Sequence, residues 1–376
     1  MYVMIVSRGY PTNKYKMNGI FEFDQARALA KEGHKVVFAA VDVRSLKRWR
    51  KWGIEQQKIQ GVNVYIINIP VGRLPKVILH KVTSIGLSIL YKLILKQLGK
   101  PDVIHAHFTN LGYAALTLKN KINVPLVITE HSSLIIKPTI DDQLFNTAKE
   151  AYTHADAVIA VSPSLVNVIK NKFDINALYV PNIVDTSIFS YTVKDESKTF
   201  NFVSIGNLRI IKRMDLAIEA FYSAFHDVPS VTLTIFGEGA ERPKIEEIIK
   251  KHQLKSKVVL MGTCSREVIS KKLKNSDCFV LASRSETFGV AYVESLATGV
   301  PVIATKCGGP ETFVNKDNGL LIPVDGFNEL VIAMKYMYKN SKAFDRRKIS
   351  AEIKSKFSPE QVSKKLVEVY EKVNDN

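Results

Sequence analysis

Cysteine is scarce in this chain. Only Cys264, Cys278 and Cys307 occur in 376 residues, with no C-x-x-C and no pairing pattern. That argues against a disulfide framework or a cysteine zinc site and favours a reducing cytosol. Tryptophan is confined to Trp49 and Trp52. No run of about 18 apolar residues stands out, so no transmembrane helix is expected. The opening "MYVMIVSRGYP" lacks the basic start and long apolar core of a signal peptide, and reads better as a buried first strand. Acid is missing from one long stretch: no Asp or Glu falls between Glu55 and Asp102.

The remaining composition is that of a globular protein, 46% hydrophobic with mean hydropathy near zero. Its length allows two domains of about 150–200 residues each. The formal charge is +17, and residues 1–100 hold 18 Lys and Arg against 5 Asp and Glu. Such a balance points to an anionic partner (nucleic acid, a membrane surface or a phosphorylated substrate), with a solvated lysine-rich surface as the plain alternative.

Apolar runs alternate with helical patterns along the chain. "YVMIVS", "KVVFAAV", "VNVYIINI", "VIHAHF", "LVITEH" and "DAVIAVS" read as strands of a first domain, with a long helix at 77–98. "NFVSIG", "TLTIFG", "VVLMG", "CFVLAS", "VPVIAT" and "GLLIPV" read as strands of a second. Strands separated by helices imply parallel sheets. The turn formers of "VPNIVDTSIF" and the polar stretch after it place a linker at about 182–200. The expected domains are 1–185 and 200–357, with a C-terminal helix over 358–376 that crosses back to the first. Ser358 to Gln361 form its capping-box pattern, and Val362, Leu366, Val369 and Val373 form one apolar face. Two doubly wound α/β domains would leave a cleft at the carboxyl ends of their strands, where ligands tend to bind.

Within "SRSETFGVAYVESLATGVPVIATKCGGPETF", residues 283–313, Glu286 sits in a loop after a buried strand and Glu294 about one turn inside the following helix. The first backbone N–H groups of that helix, near Phe288, Gly289 and Val290, suit a diphosphate or sugar hydroxyls. Two carboxylates there could hydrogen-bond a polyol. On spacing alone, two surface glutamates at a helix start explain the pattern as well.

The context decides between them. This block resembles the donor-site signature of retaining GT-B glycosyltransferases of family 4, with "TFG" at 287–289, "SLATGVPVIATKCGGPETFV" after it and "NGLLIPVDG" at 318–326. The resemblance extends over nearly the whole chain and is strongest in the carboxyl half. It implies that Glu286 contacts the transferred sugar and Glu294 holds the donor ribose. "SIGNLRIIKRMDLAIEAF" resembles the family's phosphate-binding strand, loop and helix, which assigns Lys212 to the diphosphate. Asn207 stands where the family usually has Arg; either Arg209 or Arg213 supplies the second cation, or the site runs with one charge fewer. Gly237 and Gly239 match the family's next glycine turn, and Met261 to Thr263 its base-contacting backbone. Gly19, just before the first helix, marks a position where a side chain would obstruct a close ligand. His131 ends the strand "VITEH" and, through the resemblance, contacts the donor sugar. His105 and His107 read as structural or acceptor-side.

The resemblance implies a bacterial cell-surface polysaccharide enzyme. It would move a hexose-type sugar from a UDP-sugar, or a GDP-sugar, to a saccharide acceptor with retention. No Asp-x-Asp occurs in the chain, which fits the metal independence of that fold, and no cofactor is expected. "RSLKRWRKWG" at 44–53 packs five cations around both tryptophans, and 74–100 is apolar with lysines but no acid. Together they suit an anionic bilayer surface, with a buried core helix and a solvated basic loop as the alternative; a lipid-linked acceptor and a peripheral place at the inner face of the cell membrane are expected, and nucleic acid is not expected among the partners. The alternatives weighed are a soluble acceptor and a catalytically silent GT-B subunit that binds a sugar nucleotide or a partner enzyme.

Overall fold

The computed structural model describes residues 1–12, 15, 18–44, 51–71, 74–194 and 197–375. The chain divides into two compact units, Met1–Ile183 with Pro359–Asn376, and Val184–Ser358.

The first unit runs β1 (Tyr2–Ser7), α1 (Ile20–Lys31), β2 (Lys35–Val43), β3 (Gly53–Ile59), β4 (Val62–Ile69), α2 (Lys76–Leu98), β5 (Val103–His107), α3 (Thr109–Ile122), β6 (Leu126–Glu130), α4 (Ser133–Ile136), α5 (Asp142–His154), β7 (Ala157–Ala160), α6 (Pro163–Phe173) and β8 (Leu178–Tyr179). Its sheet order is β3-β4-β2-β1-β5-β6-β7-β8. β1 is buried along its whole length, as a central parallel strand covered on both faces must be. Val3 and Ile5 share a core with Phe23 and Leu29 of α1 and with Val362, Leu366 and Tyr370 near the C-terminus. Each such aliphatic side chain contributes about 1.5–3 kcal/mol on burial.

One strand departs from the parallel expectation. β3 pairs antiparallel with β4. Its sequence "GIEQQKI" is polar and exposed, and it forms one edge of the sheet. An edge strand needs neither alternation nor grease, which is why no periodicity marks it.

The expectation of no membrane-length helix also needs correction. The 23 residues of α2 are long and apolar enough to cross a bilayer by length and composition. The helix instead lies on the first unit: Thr83, Gly86, Leu87, Leu90, Tyr91 and Ile94 are buried, and a Cβ on Gly86 would meet Val41 of β2 at 3.0 Å. Its opposite face is exposed.

The second unit continues β9 (Phe200–Ile205), α7 (Met214–Phe225), β10 (Val231–Phe236), α8 (Arg242–Lys251), β11 (Val258–Gly262), α9 (Arg266–Lys274), β12 (Cys278–Leu281), α10 (Val290–Ala297), β13 (Val302–Thr305), β14 (Gly319–Ile322), α11 (Phe327–Asn340) and α12 (Arg346–Phe357). The six strands are all parallel, ordered β11-β10-β9-β12-β13-β14. Residues just after the break belong to this unit: Phe189 is 1% exposed, and the Ile188 carbonyl accepts from Ser270 Oγ at 2.7 Å. The last helix, α13 (Pro359–Asn374), packs on α1 within the first unit.

Candidate active site

In the second unit the chain order reverses between β9 and β12, the switch point at which open α/β sheets bind ligands. The loops after these two strands carry Lys212 and Glu286. A backbone bond from Arg284 N to the Ile211 carbonyl, 2.8 Å, ties the loops together. Lys212 Nζ lies 2.5 Å from Glu286 Oε1, and Ser283 Oγ donates to the same oxygen at 2.7 Å. Glu286 Oε2 accepts from no described residue, and the residue as a whole is 8% exposed. The pair therefore offers one ammonium with donors to spare and one uncommitted carboxylate oxygen.

Gly289 starts α10 at φ +91°, and a Cβ there would meet the Tyr292 ring at 2.8 Å. Only glycine takes this turn without strain. α10 has no side-chain cap, so its first N–H groups, at Val290 and Ala291, are offered to the loop side, while Tyr292 N bonds back to the Gly289 carbonyl. Phe288 is 1% exposed, its ring set in an aromatic cluster with Phe313 and Phe357; only its backbone is available. Glu294 is not beside Glu286. It faces Arg266 of α9, whose Nη2 is 3.2 Å from Glu294 Oε1 and whose guanidinium lies over Phe189.

The two arginines near Asn207 differ in their partners. Arg213 is engaged by Asp215 at 3.2 Å and by Asp325, and Arg284 also reaches Asp325. Arg209 is exposed, and its side chain pairs with no described residue. Asn207 is exposed beside it. Gly237 and Gly239 lie against the carbonyls of Gly206 and Leu208, with no room for a Cβ. Met261 is on the edge strand β11, 44% exposed.

In the first unit the order reverses between β1 and β5. Gly19 holds φ +72°, and a Cβ there would lie 2.1 Å from the Gly9 carbonyl oxygen. Its constraint is thus its own chain, where the sequence pointed to a ligand. His131 follows β6. Its Nε2 is 2.9 Å from His107 Nδ1, and the two rings stack with centroids 5.2 Å apart. Burial, then the charge of Arg8, holds its pKa down at about 3, so the imidazole is neutral near pH 7. His105 is structural, bonded at 2.6 Å to both Tyr370 OH and Thr129 Oγ1.

From the sequence, Glu130 lies beside His131 on the opposite side of the strand, with no role assigned to it. It is fully buried. Oε1 accepts from His131 N at 2.8 Å and Ser132 N at 2.6 Å; Oε2 accepts from Thr109 N at 3.0 Å, Tyr152 OH at 2.6 Å and Thr109 Oγ1. The carboxylate thus caps α3 from a neighbouring strand and holds the backbone that carries His131. A buried acid inside "VITEHSS" was the available signal; its partners come from distant segments.

These features meet the comparisons with known proteins at the level of fold. Sucrose-phosphate synthase of Thermosynechococcus elongatus superposes with TM-score 0.81 at 18% identity, covering 99% of this chain and 98% of that one. The Anabaena protein HepE, solved with UDP, gives 0.74 at 16% identity over 99% of each chain. Two Rossmann-like units of this kind define the GT-B class of glycosyltransferases.

The family follows from sequence. Residues 23–188 match the model described as Glycosyltransferase Family 4, and residues 187–355 the model described as Glycosyl transferases group 1. An uncharacterized glycosyltransferase of Methanocaldococcus jannaschii is 31% identical over 282 residues, 73% of this chain and 76% of the relative. A candidate teichuronic acid biosynthesis glycosyltransferase of Bacillus subtilis is 27% identical over 86% of this chain and 85% of its own. The chain belongs to glycosyltransferase family 4.

Proposed function

We propose that this enzyme moves a hexose-type sugar from a nucleotide-diphosphate sugar, a UDP-sugar before a GDP-sugar, to a saccharide acceptor with retention of anomeric configuration. The observation that carries the reading is the Lys212–Glu286 pair at the switch point of the second sheet. A departing diphosphate needs positive charge as the sugar bond breaks; Lys212, Arg209 beside Asn207, and the N–H groups of Gly289 and Val290 supply it. With those groups in place no divalent cation or other cofactor is required. Glu286 offers its second oxygen to the sugar, Glu294 holds the ribose, and His131, neutral, contacts the sugar as a hydrogen-bonding group. The acceptor hydroxyl attacks on the leaving-group side, and no covalent enzyme intermediate forms. The Anabaena neighbour solved with UDP supports the choice of nucleotide, and the B. subtilis relative supports a role in cell-surface polysaccharide synthesis (capsule, exopolysaccharide or lipopolysaccharide).

The acceptor is lipid-linked in this reading, and the protein sits peripherally on the inner face of the cell membrane. The outer face of α2 supports it: exposed Ile78, Lys81, Ile85, Ile89, Lys92 and Lys96 follow one another at helical spacing, and the helix carries no acid. Apolar side chains entering the acyl boundary beneath a row of ammonium groups fit anionic lipid headgroups. The basic loop contributes less than its composition suggested. Arg44 is buried against Asp42, Lys51 and Trp52 are exposed, and residues 45–50, Arg48, Trp49 and Arg50 among them, lie outside the described residues.

A thermal-shift panel of UDP, GDP, ADP and CMP in chelator tests the donor assignment. UDP at about 100 times its Kd should add about 2.7 kcal/mol of stability. No shift with any nucleotide would overturn the assignment and favour the silent subunit. NMR of the product anomer tests retention.

A further inference from the structure

The first unit carries a charge that the donor chemistry leaves unused. Arg8 is the first residue after β1, and Phe108 the first after β5, so the two flank the switch point of the first sheet. The Arg8 guanidinium lies 4.4 Å over the Phe108 ring. Arg8 is exposed, and no described carboxylate pairs with it. Glu22 is the acid nearest in effect, but it is 2% exposed, is taken by Ser7 Oγ at 3.3 Å, and has its pKa raised by burial.

The platform beneath Arg8 is built at a cost. Phe108 holds φ +69° and ψ 149°, a region open essentially to glycine. Phe108 N donates to the Thr129 carbonyl at 2.8 Å, and the first turn of α3 bonds back to the Phe108 carbonyl. The ring is thereby fixed between Arg8 and His131, whose ring centroid is 5.0 Å away. Beneath it, His107 is fully buried and its Nε2 has no hydrogen-bond partner among the described residues. A stacked guanidinium keeps its N–H edge free, and that fork matches a carboxylate or phosphate with two parallel hydrogen bonds.

We propose that Arg8, seated on Phe108, binds an oxyanion of the acceptor, so that the acceptor carries a carboxylate or phosphate. This rests on the transferase reading above, which assigns the donor diphosphate to Lys212 and Arg209 of the second unit. Arg8 then serves a second anion and sets acceptor choice.

The test is isothermal titration of the full chain in saturating UDP with three probes: glucuronate, glucose 1-phosphate and glucose. The wild type should bind one or both anionic probes on the order of tenfold more tightly than glucose, as charge-assisted hydrogen bonds require. Which of the two binds better tells carboxylate from phosphate. Arg8→Gln should abolish the preference, and Arg8→Lys, which keeps charge but loses the fork, should retain only part of it. A wild type that does not distinguish the probes, or a preference that survives Arg8→Gln, overturns the proposal. So does an Arg8→Gln variant that loses UDP affinity instead, because the cation would then belong to the donor. Absence of UDP binding by the wild type counts against the transferase reading itself, a separate result. Circular dichroism and melting temperature of both variants, expected to match wild type for an exposed side chain, exclude misfolding as the cause.

Discussion

Glu130 and Glu286 both follow buried strands of Rossmann-like sheets, and they differ in what their oxygens have left to give. Glu130 is saturated by five donors from one loop and two helices within the first unit. Glu286 spends one oxygen on Lys212 and Ser283, and its other oxygen accepts from no described residue. A carboxylate without spare capacity builds structure; one with spare capacity can meet a ligand. The same contrast separates Arg213, held by Asp215 and Asp325, from Arg209 and Arg8, which pair with no described carboxylate. Commitment of lone pairs and charges, read from the tertiary structure, sorts these residues better than residue type does.

Substitution at the two glutamates puts that contrast under the greatest strain. Glu130→Ala should cost about 3–5 kcal/mol of stability, because several buried donors lose their acceptor at once. Urea unfolding measures it, and a loss below about 1 kcal/mol would mean the network is ornamental. Glu286→Ala should instead leave the urea midpoint nearly unchanged and lower transfer by roughly 10²–10³, with UDP affinity little altered. Normal turnover in that variant would remove Glu286 from the chemistry.

Acid should expose the first unit selectively. His105 has a native pKa pushed down by burial to about 3, against 6.5 when exposed. Below pH 6.5 the unfolded chain takes a proton that the native state refuses, so stability falls as pH drops. The loss is roughly 2 kcal/mol at about pH 5 from His105 alone. Proton uptake on unfolding measured between pH 7 and pH 5 checks the sign, and release in place of uptake would contradict the buried neutral histidines.

Smaller effects should separate the two arginines after β9. Arg209→Ala should weaken UDP binding about tenfold, as loss of one charge-assisted contact. Arg213→Ala should change it less and act on stability instead. Equal losses in UDP titrations would erase the distinction. Ile85→Asp and Ile89→Asp should each reduce binding to phosphatidylglycerol vesicles while leaving phosphatidylcholine binding at its low level; unchanged binding would free α2 of a membrane role.

The parallel sheets were legible because buried strands such as "YVMIVS" and "CFVLAS" are continuous apolar runs between helices, and burial on both faces demands that composition. β3 was not, since a polar edge strand is specified by its neighbour β4 and by nothing in its own pattern. α2 shows the limit from the other side: composition marks an apolar helix, and only its packing separates the buried Leu87 and Leu90 from the exposed Ile85 and Ile89.

The sequence by itself determined the alternating α/β architecture, the family resemblance and the motif residues Lys212, Glu286, Glu294 and His131, because periodicity and local spacing are properties of neighbouring residues along the chain. The tertiary structure alone decided that Lys212 meets Glu286 across 74 residues, that Glu130 is an anchor, and that Arg8 rests on Phe108 with no described carboxylate paired to it. Those pairings depend on which strand ends the sheet order brings side by side, and hydrogen-bond capacity and charge are settled only when distant segments meet.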